Sequence, residues 1–119
     1  MMKVFMTLAM ILGMSLIVAV PTAAQAMDAC PHGTTVQSLQ DCVQHAAEHG
    51  FISNQGIVQS LQVKLNAAEA ALERDQPAAA INLLGAFVNQ LAAQSGKQVD
   101  LHHAEHLRMH ADMVIEALS

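Results

Sequence analysis

The stretch SLQVKLNAAEAALERDQPAAAINLLGAFVNQL, residues 60–91, decides the fold. Before the break at Asp75, Gln76 and Pro77, the apolar residues Leu61, Leu65, Ala68 and Leu72 recur three and four positions apart. After it, Ile81, Leu84, Phe87, Val88 and Leu91 repeat the pattern. That spacing lays apolar side chains along one face of a helix, and no segment of the chain alternates as a half-buried strand would. Pro77 suits a first helical turn, where its missing N–H is not needed. Two amphipathic helices joined by so short a connection pack antiparallel.

Working outward, Ser53 or Asn54 is placed to cap the helix before the break, extending its inner face to Ile57. Further upstream, Thr34 or Thr35 caps a first helix with Val36, Leu39, Val43 and Ala46 or Ala47 inside. Gly50 ends that helix, because a residue without Cβ accepts the left-handed conformation that follows many helices. Phe51 and Ile52 fall in the connection and are expected to plug one end of the core. Downstream, Ser95 and Gly96 close the third helix, and Asp100 caps a last one with Leu101, Ala104, Leu107, Ala111, Val114 and Leu118 inside. The expected fold is all-α, a small antiparallel bundle of three to four helices over residues 35–119.

Residues 1–26 read as an export signal. Lys3 gives a positive start, Val4 to Val20 is apolar apart from Thr7, Gly13 and Ser15, and Pro21 breaks the helix ahead of Ala24-Gln25-Ala26. Small residues at that last position fit cleavage after Ala26, so an uncleaved membrane anchor is the weaker reading. Residues 27–34 form a short tail. The destination is periplasmic or secreted, an oxidising setting in which Cys30 and Cys42, the only cysteines, are expected to form a disulfide. Closing that short loop contributes about 2–3 kcal/mol by restricting the unfolded chain.

Without Lys3, four basic residues (Lys64, Arg74, Lys97, Arg108) face ten acidic ones, and there is no Trp or Tyr. An acidic domain with no basic patch and few rings to stack on bases is a poor partner for nucleic acid, and nothing in it suggests stable membrane insertion of the mature domain.

Three segments carry a resemblance: GFISNQGI (residues 50–57), SLQVKLNAA (60–68) and AINLLGAFVNQL (80–91). They are similar to the FIMAH-type module, a small helical domain appended to many secreted, often multidomain bacterial proteins, hydrolases included. The similarity covers about residues 36 to 118. It is most specific from Ser60 to Leu91, where the polar Lys64, Asn82 and Gln90 fit as well as the core positions do. The resemblance implies an accessory, non-catalytic module and supplies no catalytic residues. Three features depart from it. The module is read as standing alone rather than attached to an enzyme, the last helix is loaded with histidine, and the cysteine-bearing N-terminal segment looks like a private addition.

That last helix holds the chemistry. His102, His106 and His110 are four apart and form a column, with His103 in the adjacent row. Neutral imidazoles so spaced suit Cu, Ni or Zn; Met109 and Met113, each three residues after a histidine, would add thioethers for Cu(I) or Ag(I). The plainer reading makes these histidines the solvated face of an amphipathic helix, since Leu101, Ala104, Leu107 and Ala111 already supply the buried stripe. A second constellation, Cys42, His45 and His49 with Cys30 and His32 nearby, competes with the disulfide for its thiols. His102, Glu105 and His106 also match the inverted zinc-protease pattern H-x-x-E-H, a chance match in so small a domain without a third ligand. No activated nucleophile or phosphate loop is present, so an enzyme is not expected. The sequence thus favours a non-enzymatic exported interaction module with an unidentified protein or cell-surface partner. Its alternative is a periplasmic transition-metal binder using the last helix.

Overall fold

The computed structural model describes Cys30 and residues 33–119. The leader assigned to residues 1–26, most of the tail and His32 lie outside the described residues. Among the described residues four helices follow one another: α1 Val36–Glu48, α2 Gln55–Glu73, α3 Pro77–Gln94 and α4 Leu101–Leu118.

Each helix begins where a side chain or a proline deals with the unpaired N–H groups of the first turn. Thr35 accepts from the Ser38 amide at 3.1 Å. Asn54 accepts from the amides of Gly56 at 2.8 Å and Ile57 at 3.3 Å, and Asp100 from His103 at 3.1 Å. Pro77 opens α3. The ends of α1 and α2 share one closing pattern, in which the first residue past the cap turns left-handed and two amides reach back to the last carbonyls. In α1 that residue is Gly50 (φ 80°), with Gly50 N–H on Ala47 O and Phe51 N–H on Ala46 O. In α2 it is Asp75 (φ 59°), with Asp75 N–H on Leu72 O and Gln76 N–H on Ala71 O.

Helix α1 packs against α2 and α4, and α3 packs against the same two, so the helices close a ring. Leu39, Leu61, Leu65, Leu84 and Phe87 are wholly buried inside it. The α1–α2 and α3–α4 connections meet at one end. Ser53 N–H donates to Gln98 O and Asp100 N–H to Phe51 O, each at 2.8 Å, around an isolated antiparallel bridge between Ile52 and Val99. With both connections at the same end, the helices run up and down in turn.

The core differs from the sequence reading at its margins. Ile52 and Val99, rather than Phe51, plug that end; Phe51 is only half-buried. Leu101 is 65% exposed, because Val99 takes the inward position just before the Asp100 cap and α4 starts outside the bundle's end. Val58 and Ala71 are buried more deeply than Ile57 and Leu72, which pack at the edge. Ala80 is likewise buried where Ile81 is only half-covered. A helix flanked by two neighbours buries a wider arc than one apolar column. Among the described residues no helix is long and apolar enough to cross a membrane.

Candidate functional site

The α4 histidines do not form the single solvent-facing column that their spacing suggests. Each helical residue advances about 100°, so a four-residue step overshoots a full turn by about 40°. Starting from His102, His106 is turned about 40° and His110 about 80° toward the face that carries Ala104, Leu107 and Ala111. Burial follows the rotation: His102 is exposed, His106 is half-buried, and His110 is only 2% exposed. Met109 and Met113 sit on the solvent side, 57% and 43% exposed. The expectation that the histidines stand outside the buried stripe therefore holds for His102 and fails for His110.

His102, His103 and His106 line a cleft of about 240 Å³ between α1 and α4, and His45 reaches it from α1. Phe51, also in its wall, stacks on His103 with ring centroids 3.5 Å apart and planes 14° from parallel. The opposite constraint comes from Asp100, whose carboxylate accepts both the His103 backbone N–H and its Nδ1–H, the latter at 2.9 Å. Those hydrogen bonds hold the Asp100 carboxyl below the usual carboxylate range. With Nδ1–H held by the carboxylate, Nε2 of the neutral ring would be the nitrogen offered to a metal, in the carboxylate–histidine arrangement common around metal ligands. One acidic side chain thus caps the helix and orients an imidazole. His49 lies off the cleft, its ring 4.3 Å from that of His45.

The expected disulfide joins Cys30 to Cys42 and forms part of the cleft floor. Behind it lies His110. Its Nε2 is 2.8 Å from the Gly33 carbonyl and 3.1 Å from Ser38 Oγ, and Ser38 in turn donates to Thr35 O at 2.7 Å. The Gly33 carbonyl can only accept, so Nε2 carries a proton, and Nδ1 stands 3.4 Å from Cys42 Sγ. Sequence reasoning missed Ser38 and Gly33. A serine one turn inside the N-cap, on the same face as Leu39 and Cys42, was the available signal.

Thus the described residues form a capped, closed four-helix module with an imidazole-lined cleft along one seam. The chain belongs to the FIMAH domain family, whose model matches residues 36–116. Comparison with curated proteins and with solved structures gives no match.

Two outcomes follow from these contacts. Replacing His110 by Leu strips partners from buried polar groups and should lower unfolding stability in urea by about 1–3 kcal/mol, whereas His102→Ala should stay within about 0.5 kcal/mol of the parent. Equal effects would contradict the inward placement of His110. For Asp100, a lowered folded-state pKa means its stabilising effect is present above the ordinary carboxyl value and disappears as pH falls through the lowered one. The stability advantage of the parent over Asp100→Asn, followed by thermal melts, should therefore shrink as pH drops below about 4.

Proposed function

We propose that this chain is an exported, non-catalytic accessory module that docks a protein or cell-surface partner outside the cytoplasm. Membership of the FIMAH family across residues 36–116 carries the reading. The Cys30–Cys42 disulfide fits an oxidising compartment, and the leader in residues 1–26 fits delivery to one. The test combines intact-mass analysis of cell fractions with binding of labelled protein to intact cells of the producing organism. The expected product lacks residues 1–26, carries the disulfide, and binds saturably whether or not His102 and His106 are replaced by Ala. Full-length protein with reduced thiols in the cytosol, or no saturable binding, would overturn the reading.

A second reading is favoured by one observation: His103, fixed between Asp100 and Phe51, shares its cleft with His45, His102 and His106. Imidazoles gathered in this way suit Cu²⁺, Ni²⁺ or Zn²⁺. Calorimetric titration of the disulfide-bonded protein tests it. Dissociation constants tighter than about 10 µM that weaken when His102 and His106 become Ala would support a cleft site. Weaker binding, indifferent to both changes, would remove it.

A further inference from the structure

The seam between α1 and α4 gathers sulfur and imidazole groups from three places in the chain. Sγ of Cys30, Sγ of Cys42 and a ring nitrogen of His110 lie within 4.8 Å of one another, and all three residues are buried. Nδ1 of His110 is 3.4 Å from Cys42 Sγ, and Nε2 of His106 is 3.4 Å from Cys30 Sγ. A thiolate at about 2.3 Å and an imidazole at about 2.0–2.1 Å from one tetrahedral ion stand about 3.5 Å from each other. Both sulfur–nitrogen contacts therefore have the length of an edge of such a site.

The surroundings of His110 match those of a metal ligand. A ligating histidine commonly donates its second ring N–H to a backbone carbonyl, which fixes the tautomer and aims the other nitrogen. Here Nε2–H is held by Gly33 O at 2.8 Å, leaving Nδ1 directed at the sulfur pair. Cys30 precedes α1 and belongs to no helix, so the two sulfurs can part without displacing one. His106 approaches from the cleft side, where an ion would enter.

We propose that the Cys30–Cys42 disulfide is the closed state of a redox-gated Zn²⁺ site whose ligands, after reduction, are Cys30, Cys42 and His110, with His106, now outside that cluster and beside Cys30, closing on the ion as the sulfurs part. Two thiolates cancel the charge of one Zn²⁺, and a neutral unit suits a buried seam far better than isolated charges do. Opening takes two electrons and two protons from a dithiol, which becomes a disulfide as Cys30 and Cys42 become thiols. Each thiol then loses its proton on coordination, so one Zn²⁺ enters and two protons leave. An oxidised dithiol reverses the exchange, re-forming the sulfur–sulfur bond and expelling the ion. The site goes beyond the docking reading and does not rest on it. It shares His106 with the cleft site of His45, His102 and His103 but, unlike that site, requires both thiols, so the oxidised protein separates the two.

The test compares oxidised protein with protein reduced by a phosphine and then freed of reductant under argon. Each is titrated with Co²⁺ as a spectroscopic probe and then with Zn²⁺ against a chromophoric chelator. Reduced protein should bind one equivalent, show thiolate-to-cobalt charge-transfer absorption, and hold Zn²⁺ at least about a hundredfold more tightly than the oxidised form. His102→Ala should leave that affinity unchanged, and Cys30→Ser should weaken the charge-transfer band. To avoid dependence on a destabilised variant, ring-nitrogen NMR of the reduced parent with Zn²⁺ reads His110 directly, and its Nδ1 resonance should move to the metal-bound position. Equal affinity in both redox states would overturn the proposal. So would tight binding that leaves His110 Nδ1 unshifted, since the thiols would then act without the imidazole.

Discussion

Four narrow apolar faces must meet around one small core, and that closure governs the rest of the molecule. Its filling is largely leucine and alanine, with Phe87 the one fully buried phenyl ring among the described residues. Alanines such as Ala68, Ala71, Ala80 and Ala111 leave little side-chain bulk between helices, so polar side chains along the seams must pair with one another. They do. Lys64 donates to Ser60 Oγ at 3.1 Å, and Ser60 donates across the α2–α3 seam to Gln90 at 3.0 Å. On the α1–α2 seam Gln40 donates to Asn66 at 2.6 Å. Among the described residues no buried side-chain nitrogen or oxygen lacks a partner. The two polar positions Lys64 and Gln90, which carried part of the family resemblance, thus have a concrete task at one seam.

Helix α1 is the weakest member of the ring by length alone. At 13 residues it lies in the range where an isolated helix is marginal in water. Two devices hold its N-terminal half: the disulfide from Cys42 to Cys30, and the chain of contacts from Thr35 through Ser38 to His110. Both draw the segment before α1 onto the α1–α4 seam. A buried imidazole with its partners in place specifies which turn of α4 faces α1, which an aliphatic residue of similar size would leave less sharply defined.

Most of this architecture was legible because local signals agreed with one another. Asn54, Asp100 and Pro77 stand at helix starts, Gly50 at a helix end, and the apolar spacing between them is unbroken. The misreadings share one physical origin: helical spacing fixes which residues share a face but not how far burial spreads around it. Leu101 was placed inside by periodicity, yet it lies beyond the end of the ring; Val58 and Ala71 were passed over and are buried. His110 is the instructive case. A strict four-residue repeat drifts around the helix by about 40° per step, so the third histidine of the column crosses from solvent into the seam. Asp75 in the left-handed region was equally unforeseen, since the Pro77 stop signal marked the break without saying which residue would turn. The pairing of His103 with Asp100 was within reach of the sequence, an N-cap acid three residues before an imidazole, but the stacking with Phe51 depends on a contact between distant connections.

That drift also divides the histidines of α4 by task. His102, the most exposed, lines the cleft with His103 and His106, and His110 joins the disulfide inside. The family match begins at residue 36, so Cys30 and Gly33 precede it while Cys42, His106 and His110 lie within it. The four helices contact one another in a closed ring, and Cys30 and Gly33 lie outside all of them. What the preceding segment adds is a second sulfur beside the first and a carbonyl that fixes one imidazole tautomer. A purely mechanical strap would require the sulfurs but not the carbonyl-oriented imidazole directed at them. The combination places donor chemistry beside the contacts that hold α1, which is why the seam, rather than the core, is where this chain differs in kind from a bare helical module.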